Sequence, residues 1–342
     1  MCSVSVSPVM KITGTCVSCG MALSRRQVSN PSSPGITASI STTSGATRCA
    51  MASAASPLRA TSTVQSMGGK PTDASWILGE LGVPSLALGL AAGTTGQKVE
   101  NMLKARGVTT DFTWVDGDTR INVIIMDESD QSHTTITTTT MQISPEDTAR
   151  LRERYRRALD DATLVVTGGT LPKGIEPSYY TEFIGMARER NVPVIFDAAE
   201  PNLSAGLRAR PTYIKPNRDE LEALVGHSLR TLDEVHRAGR QIHEQYGTSP
   251  IITLGEEGAL AVLPDRAYRI PPLSVDVVSP AGAGDGVLAG LAASVYRGQP
   301  IEEGLRLGFA AATAVLLQPG TADCRRADVE AFLPQIQLIP FP

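Results

Sequence analysis

The sequence predicts an α/β fold in which a mainly parallel sheet is covered on both faces by helices. Short apolar runs alternate with segments of helical period after residue 144, and this alternation is typical of parallel sheets. The composition is globular, with 42% hydrophobic and 19% charged residues. The best apolar run, Leu81–Ala92, is interrupted by Pro84 and Gly89 and falls short of the roughly 20 residues that span a bilayer. We therefore expect no membrane association.

The elements before residue 144 follow from apolar spacing and from glycine or proline at their ends. The expected elements are a helix at Ala74–Leu81, a strand at Val83–Leu90, a helix at Gly96–Arg106, a strand at Asn122–Met126 and a β-branched extended run at Thr134–Met141.

The elements after residue 144 alternate regularly. Ser144-Pro145-Glu146 is a sequence that can cap a helix. The expected helices are Ser144–Asp160, Ser178–Arg190, Arg218–Val225, Leu232–Gln245, Asp285–Arg297, Ile301–Leu317 and Ala327–Leu333, and Leu203–Arg208 is expected to be a short turn or helix. The expected strands are Ala162–Val166, Val192–Asp197, Thr212–Lys215, Pro250–Leu254 and Ala259–Leu263. Ligands of such folds bind at the carboxyl ends of the strands.

The N-terminal segment differs from the rest of the chain. The net charge of −4 divides into +6 for residues 1–72 and −10 for the remainder, and the first acidic residue is Asp73. Residues 1–57 are rich in Ser and Thr and lack a sustained apolar period, which favours disorder. The composition suits a transit peptide or an out-of-frame extension, and it suits a secretory signal poorly. The net charge of the whole chain gives no reason to expect nucleic-acid binding.

The stretch Val275–Gly290 carries the clearest chemical signal. A β-rich run leads into Gly282-Ala283-Gly284-Asp285, and an apolar stripe at helical spacing follows. Free amides at a helix N-terminus bind anions, and a carboxylate there can accept a proton from an attacking hydroxyl. Such a pair suits phosphoryl transfer to an alcohol. A carboxylate at this position also suits a helix cap, and the spacing alone does not decide between the two.

Six motifs in the same order resemble those of the ribokinase-like (PfkB) carbohydrate kinases. They are Gly68-Gly-Lys70, Thr119-Arg-Ile-Asn-Val123, Thr167–Gly174, Lys215-Pro-Asn-Arg-Asp-Glu220, Thr253–Gly258 and Gly282–Asp285. The resemblance covers roughly residues 58–340. The motifs at Thr119–Asn122 and Lys215–Glu220 are similar to those of the 1-phosphofructokinase and tagatose-6-phosphate kinase branch. The resemblance implies a three-layer αβα fold with a small β lid. We expect an extension at residues 1–57 and a kinase domain at residues 58–342, with lid strands at about 58–67 and 111–140.

The resemblance also implies roles for individual residues. Asp285 matches the catalytic base, and the amides of Gly282, Ala283 and Gly284 match the anion hole. The residues expected on the nucleotide side are Asn217, Thr253, Gly255 and Gly258. Glu220 is expected to organise Mg²⁺ through water molecules, because Mg²⁺ usually keeps several waters. The residues expected to bind the acceptor are Gly69, Lys70, Arg120 and Asn122, and an Arg fork suits a phosphate.

The sequence departs from the family pattern at three places. Asp73 stands where the family has Asn, and an ionised carboxylate accepts but does not donate. Pro280 removes one N–H beside the expected anion hole. Residues 1–57 contain no match to the family's opening Asn-Pro-Ala-x-Asp motif, which favours a replaced N-terminus over a targeting peptide.

The resulting hypothesis is an ATP- and Mg²⁺-dependent kinase of a sugar phosphate, with fructose 1-phosphate or tagatose 6-phosphate as acceptor. Two alternatives stay open: a catalytically impaired relative that only binds nucleotide or sugar phosphate, and a kinase of an unphosphorylated sugar or nucleoside. Lys70 with Arg120 argues against a neutral acceptor. We expect a cytoplasmic protein, and a homodimer through the lid.

Overall fold

Two sheets organise the part of the chain that our computed structural model describes, namely residues 10–13, 18–23, 64–126, 133–138 and 141–342. The strands are β1 (Met10–Thr13), β2 (Ser18–Leu23), β3 (Val64–Gly68), β4 (Ser85–Ala92), β5 (Thr109–Val115), β6 (Arg120–Met126), β7 (His133–Thr137), β8 (Val165–Gly168), β9 (Val194–Asp197), β10 (Tyr213–Ile214), β11 (Ser249–Thr253), β12 (Ala259–Val262), β13 (Ala267–Ile270) and β14 (Ile339–Phe341). The helices are α1 (Lys70–Glu80), α2 (Gly93–Ala105), α3 (Pro145–Ala158), α4 (Ser178–Glu189), α5 (Asn202–Leu207), α6 (Arg218–Val225), α7 (Leu232–Tyr246), α8 (Ala283–Tyr296), α9 (Ile301–Leu316) and α10 (Arg326–Phe332).

The larger sheet is parallel over most of its width. Its strand order is β14-β13-β12-β11-β10-β9-β8-β1-β4-β5, and the strands from β11 to β5 run parallel. The strands β12, β13 and β14 are antiparallel and extend one edge. The carboxyl ends of the parallel strands therefore meet along one edge of the sheet, where ligands bind in this class of fold.

The helices cover both faces of this sheet, as the sequence predicts. Neighbouring residues of one strand point to opposite faces: Ile251 belongs to the core cluster that contains α1, α8 and α9, whereas Ile252 belongs to the cluster that contains α3, α4 and α7. Each fully buried leucine or isoleucine contributes about 1.5–3 kcal/mol relative to exposure. The expected three-layer αβα arrangement is thus confirmed.

A close contact between α8 and α9 fixes the position of α8. A Cβ atom on Gly290 would lie 2.1 Å from the backbone nitrogen of Gly308, so the two helices touch through their backbones. Any side chain at Gly290 would push the helices apart. The N-terminus of α8, which carries Asp285, is therefore held at a defined place relative to the sheet.

The smaller sheet has the strand order β3-β2-β6-β7. It contains β6 and β7, as expected for the lid, and its first edge strand is β3. Residues 111–115 were expected in the lid, and this expectation is wrong. They belong to β5 (Thr109–Val115), which pairs in parallel with β4 at the edge of the larger sheet. The buried Phe112 explains this placement, since it packs in a small cluster with Ala87 and Leu103.

The N-terminal segment supplies one strand to each sheet. Met10–Thr13 lies between β4 and β8, and Ser18–Leu23 lies between β3 and β6. This differs from the expectation that residues 1–57 stay outside the fold. The other residues of that segment and residues 58–63 lie outside the described part of the chain. The domain boundary at residue 58 therefore stays a prediction.

No helix among the described residues is both long enough and apolar enough to cross a membrane. The cytoplasmic location stays a prediction.

Candidate active site

The edge formed by the carboxyl ends of the parallel strands gathers several polar residues. Asp197 ends β9, Lys215 follows β10, and Thr253 ends β11. Two helices begin at the same place, α1 at Lys70 and α8 at Ala283, and these helices pack against each other. The ion pairs described below join residues from these separate elements into one site.

The turn before α8 has the geometry that an anion site needs. Gly282 caps the helix with φ 82° and ψ 0°, a left-handed conformation that favours glycine. A Cβ atom there would lie 2.2 Å from the backbone nitrogen of Ala322. The first amides of a helix have no partner within the helix and lie at the positive end of its dipole. The predicted anion-hole residues Gly282, Ala283 and Gly284 thus stand at a helix N-terminus.

Asp285 lies in the first turn of α8 and is 8% exposed. Burial raises the pKa of its carboxyl group to about 7, and the negative charge of Asp197 acts in the same direction. The ammonium groups of Lys70 and Lys215 oppose this rise because they favour the charged carboxylate. A base with a pKa near the working pH is suited to accept and release a proton.

A buried ion-pair network lies beside Asp285. Asp197 is 1% exposed; its Oδ1 lies 2.6 Å from Nζ of Lys70, and its Oδ2 lies 3.0 Å from Nζ of Lys215. Burial alone would raise the pKa of Asp197, but the two ammonium groups outweigh burial and hold this pKa below its ordinary value. Asp197 therefore stays ionised and holds two cations at the site.

Lys215 reaches the expected anion hole. A Cβ atom on Gly284 would lie 3.0 Å from Nζ of Lys215, so the ammonium group lies directly against the first turn of α8. The residue is 5% exposed. A buried cation beside a helix N-terminus favours an anion at this position. The amide of Ala283 donates to the carbonyl oxygen of Pro280 at 3.4 Å in this structure.

Lys70 forms two ion pairs at this site. Its ammonium group pairs with Asp197 and lies 3.5 Å from Oε1 of Glu220. Burial would lower the pKa of Lys70, but these carboxylates outweigh burial and raise it. Lys70 is thus already paired in this structure, and the expectation that it grips the acceptor phosphate stays a prediction.

The residues expected on the nucleotide side lie together. Asn217 and Thr253 form an isolated parallel β-bridge, and the amide of Thr253 donates to the carbonyl oxygen of Pro216 at 3.0 Å. Gly255 and Gly258 bound the short turn that follows β11. Arg218 joins this turn to the start of α6 through its ion pair with Glu257 at 2.8 Å.

Asn217 and Glu220 also have a structural role. Oδ1 of Asn217 accepts from the amide of Glu220 at 2.8 Å, and Oε2 of Glu220 accepts from the amide of Asn217 at 2.9 Å. This capping box starts α6. It also fixes the Glu220 carboxylate with its other oxygen toward Lys70.

The donor set fits a magnesium ion that keeps most of its waters. Among the described residues, no group of three or more His, Cys, Asp or Glu side chains could form a protein-only metal site. Mg²⁺ is usually bound by one or two carboxylates together with substrate phosphates and water. Glu220 can supply one carboxylate for such an ion beside a nucleotide.

The acceptor-side residues Arg120 and Asn122 lie on one face of the smaller sheet, because they are two positions apart on β6. Nε of Arg120 and Oδ1 of Asn122 are buried and have no hydrogen-bond partner within the described residues. A buried polar atom without a partner is costly. A ligand with polar groups would satisfy both atoms.

The strand register indicates where this face points. In the smaller sheet, position 18 of β2 pairs with Arg120 of β6 on one side and with Gly68 of β3 on the other. The next residue after Gly68 is Gly69, which is the N-cap of α1. Ser66, on the same face of β3, lies 2.9 Å from the hydroxyl of Thr321, and Ala322 packs against Gly282. The face that carries Arg120 and Asn122 is therefore continuous with the start of α8.

Sequence reasoning missed the roles of Asp197 and Lys215. The signal for Asp197 was available, because a single carboxylate ends the buried run Val194–Phe196 at the edge where ligands bind. Lys215 stood in a recognised motif but had no assigned role. Their pairing depends on residues far apart in the chain, and no local pattern reports it.

Comparisons with known proteins show the family to which the chain belongs. The model of the pfkB family carbohydrate kinases matches residues 40–328. The 1-phosphofructokinase of Escherichia coli K12 is 31% identical over 273 residues, covering 80% of this chain and 87% of that protein. The tagatose-6-phosphate kinase of Staphylococcus epidermidis is 27% identical over 284 residues, covering 82% and 91%. The structure of Escherichia coli phosphofructokinase-2 in complex with substrates and products aligns with a TM-score of 0.80 at 23% identity, covering 96% of this chain and 99% of that one. The chain therefore belongs to the pfkB family of carbohydrate kinases.

Proposed function

We propose that the protein transfers the γ-phosphoryl group of ATP to a hydroxyl group of a sugar phosphate. Fructose 1-phosphate and tagatose 6-phosphate are the expected acceptors, since the relatives named above are a 1-phosphofructokinase and a tagatose-6-phosphate kinase. The observation that carries the proposal is the buried carboxyl group of Asp285 in the first turn of α8, with Lys215 against the same turn.

The residues of the site suit each part of the reaction. Asp285 accepts the proton of the acceptor hydroxyl while that oxygen forms its bond to the γ-phosphorus and the bond to the β-phosphate oxygen breaks. The amides of Gly282, Ala283 and Gly284 and the ammonium group of Lys215 face the charge on the transferring group. A bound Mg²⁺ ion supplies further neutralisation of the phosphate charge. Asn217, Thr253, Gly255 and Gly258 hold the nucleotide.

Arg120 and Asn122 recognise the acceptor in this proposal. Nε of Arg120 and Oδ1 of Asn122 have no hydrogen-bond partner among the residues that the structure describes; the first suits the phosphate of the acceptor and the second suits a sugar hydroxyl. Because Lys70 is paired with Asp197, the phosphate grip depends mainly on Arg120. An unphosphorylated sugar would leave the guanidinium group unsatisfied, which disfavours a neutral acceptor.

The smaller sheet also provides a surface for a homodimer, and we include this in the proposal. Ile136 is 52% exposed on β7, which is an edge strand. Exposed edge strands with apolar side chains pair readily with other chains.

A coupled ADP assay with Mg²⁺-ATP tests the function. We expect turnover with fructose 1-phosphate or tagatose 6-phosphate and at least about 100-fold lower kcat/KM with fructose or ribose, since the grip on the phosphate would be lost. An Asp285→Asn variant should lose about 100- to 10,000-fold in kcat while it still binds ATP. ATP binding without turnover of any sugar phosphate by the unmodified chain would support a binding-only protein instead. Full activity of Asp285→Asn would refute the assignment of the base.

A further inference from the structure

Two buried carboxyl groups meet between α1 and α8. Asp73 lies in the first turn of α1 and is 4% exposed, and Asp285 lies in the first turn of α8 and is 8% exposed. Each carboxyl group acts on the pKa of the other through a direct side-chain contact. Both residues lie at helix N-termini, and the two helices pack together.

A hydrogen bond between two carboxyl groups requires a proton on one of them, because ionised carboxylates only accept. Oδ1 of Asp73 finds no N–H or O–H donor elsewhere in the described ranges of the chain. Two carboxylates at one site do not both stay ionised at neutral pH unless cations compensate them. The question is therefore which member of the pair holds the proton.

The surrounding charges favour the proton on Asp73. Nζ of Lys215 lies against the first turn of α8, which carries Asp285. The ammonium groups of Lys70 and Lys215 favour the charged form of Asp285, whereas burial and the negative charge of Asp197 oppose it. Asp73 is influenced mainly by its burial and by the Asp285 carboxylate, which both raise its pKa well above the ordinary value; the amide of Gly69 opposes this rise. The carboxylate of Glu220 is paired with Lys70.

We propose that Asp73 holds a proton at neutral pH and donates it in a hydrogen bond to the carboxylate of Asp285, so that Asp73 positions the base and keeps it ionised. This proposal rests on the proposed function only in making Asp285 the base. Asp73 is a positioning residue, because it acts on the reaction through Asp285. A protonated Asp73 has an O–H group that can donate a hydrogen bond. This differs from the expectation from the sequence, in which an ionised Asp73 only accepts hydrogen bonds.

The arrangement has a consequence at each end of the pH range. A hydrogen bond donated to the charged form of Asp285 lowers the pKa of this base, and the Asp73 contact has that direction. Activity therefore extends to lower pH than burial of Asp285 alone would allow. At high pH Asp73 loses its proton, and a second negative charge then lies beside the base. Activity should fall there, since the donor is lost and the incoming phosphates are repelled.

The test compares Asp73→Asn and Asp73→Ala with the unmodified enzyme in profiles of kcat/KM against pH. An amide still donates, so Asp73→Asn should keep the acidic limb in place and lose the alkaline limb. Asp73→Ala removes the donor and should move the acidic limb to higher pH by about one to two units, the shift expected for a lost hydrogen bond to a charged group. Asp160→Asn, which removes a carboxylate that is 67% exposed, is the matched control and should leave both limbs unchanged.

A second readout is independent of catalysis. Infrared spectra of protein labelled with ¹³C-carboxyl aspartate should show a protonated carboxyl band at about pH 8, one unit above the pKa of Asp285. The band should be absent in Asp73→Asn, and thermal unfolding shows whether each variant is folded.

If the band is present and no sugar phosphate is turned over, the proton assignment stands while the proposed function fails. An identical spectrum in Asp73→Asn would overturn the proposal. So would an Asp73→Ala variant whose acceptor KM changes while its acidic limb stays in place, because that result would make Asp73 an acceptor-binding residue.

Discussion

The ammonium group of Lys70 lies 2.6 Å from the carboxylate of Asp197, which is almost fully buried. The two residues come from the first turn of α1 and the end of β9, 127 positions apart in the chain. The same carboxylate also pairs with the buried Lys215. One side chain thus holds two cations of the candidate active site, and the stability of the site depends on it.

Replacing Asp197 with Asn should destabilise the protein strongly. The change leaves the ammonium group of Lys215 buried without its counter-ion, and the loss of one partner of a buried pair costs about 3–5 kcal/mol. Urea unfolding measures the change in the free energy of unfolding. Asp265→Asn is the control, because that carboxylate is 70% exposed and pairs only at the surface; its effect should stay within about 0.5 kcal/mol. Similar losses in the two variants would contradict the role given to Asp197.

Asp285 should reduce stability at the pH at which the enzyme works. Its pKa is about 7 in the folded protein, above the ordinary value of 3.8. The native state then binds more protons than the unfolded state between these values, so stability falls as the pH rises from about 4 to about 7. Asp285→Asn should therefore be more stable than the unmodified protein at pH 8, by up to a few kcal/mol. The gain should vanish as the pH approaches 4, which thermal unfolding at a series of pH values measures. A gain that is independent of pH would show that ionisation is not its cause.

Local patterns predicted the elements that carry the nucleotide and catalytic residues. The helix Arg218–Val225 has the bounds expected from the sequence, and Ser144 caps α3 with a complete capping box. The glycine turn and the helix that carries Asp285 also form as expected, but the β-rich run before them is not a strand, since residues 271–280 have no regular secondary structure. Glycine, capping residues and apolar period act over a few residues, so the sequence shows them directly.

Contacts between distant residues could not be predicted in this way. The run Thr109–Val115 is compatible with either sheet, and packing of Phe112 against α2 places it in the larger one. No strand was expected from the sequence at β13 or β14, and both hold their places at the edge of the sheet by antiparallel pairing. The protonation of Asp73 follows from its burial beside Asp285, which depends on the packing of α1 against α8. Each of these outcomes depends on tertiary structure rather than on local preference.

Replacing Gly282 with Ala should damage catalysis more than stability alone would explain. The position has φ 82°, and an added Cβ would meet the backbone of Ala322. The turn must shift, which displaces the amides at the start of α8, and kcat should fall by about 100-fold, as for the loss of an oxyanion donor. Gly226→Ala is a matched control, since Gly226 has φ 80° and open space around its Cβ position. It should cost about 1 kcal/mol of stability and leave kcat unchanged. Equal kinetic effects in both variants would argue against an anion hole at Gly282.

A charged residue in place of Ile136 should disrupt the proposed dimer. The side chain is 52% exposed on the edge strand β7, and burying a lysine in an apolar interface is costly. Light scattering coupled to size-exclusion chromatography should show a dimer for the unmodified protein and a monomer for Ile136→Lys. Val277 is 58% exposed outside the smaller sheet, and Val277→Lys serves as the control that keeps the dimer. A monomeric unmodified protein, or a dimer in both variants, would reject this surface as the interface.

Removing the guanidinium group of Arg120 should weaken binding of the sugar phosphate selectively. Its Nε is buried and has no partner in the described part of the chain, so a phosphate can take that position. Arg120→Ala should raise the KM for fructose 1-phosphate or tagatose 6-phosphate by about 10- to 100-fold and leave the KM for ATP unchanged. The acceptor KM of Arg120→Lys should lie between those of the unmodified enzyme and Arg120→Ala, because lysine keeps the charge and loses the planar fork. Arg150→Ala, at a guanidinium group that is 59% exposed on α3, is the control and should change neither constant. If the acceptor KM of Arg120→Ala equals that of the unmodified enzyme, another residue grips the phosphate, and Lys70 would be the next to test.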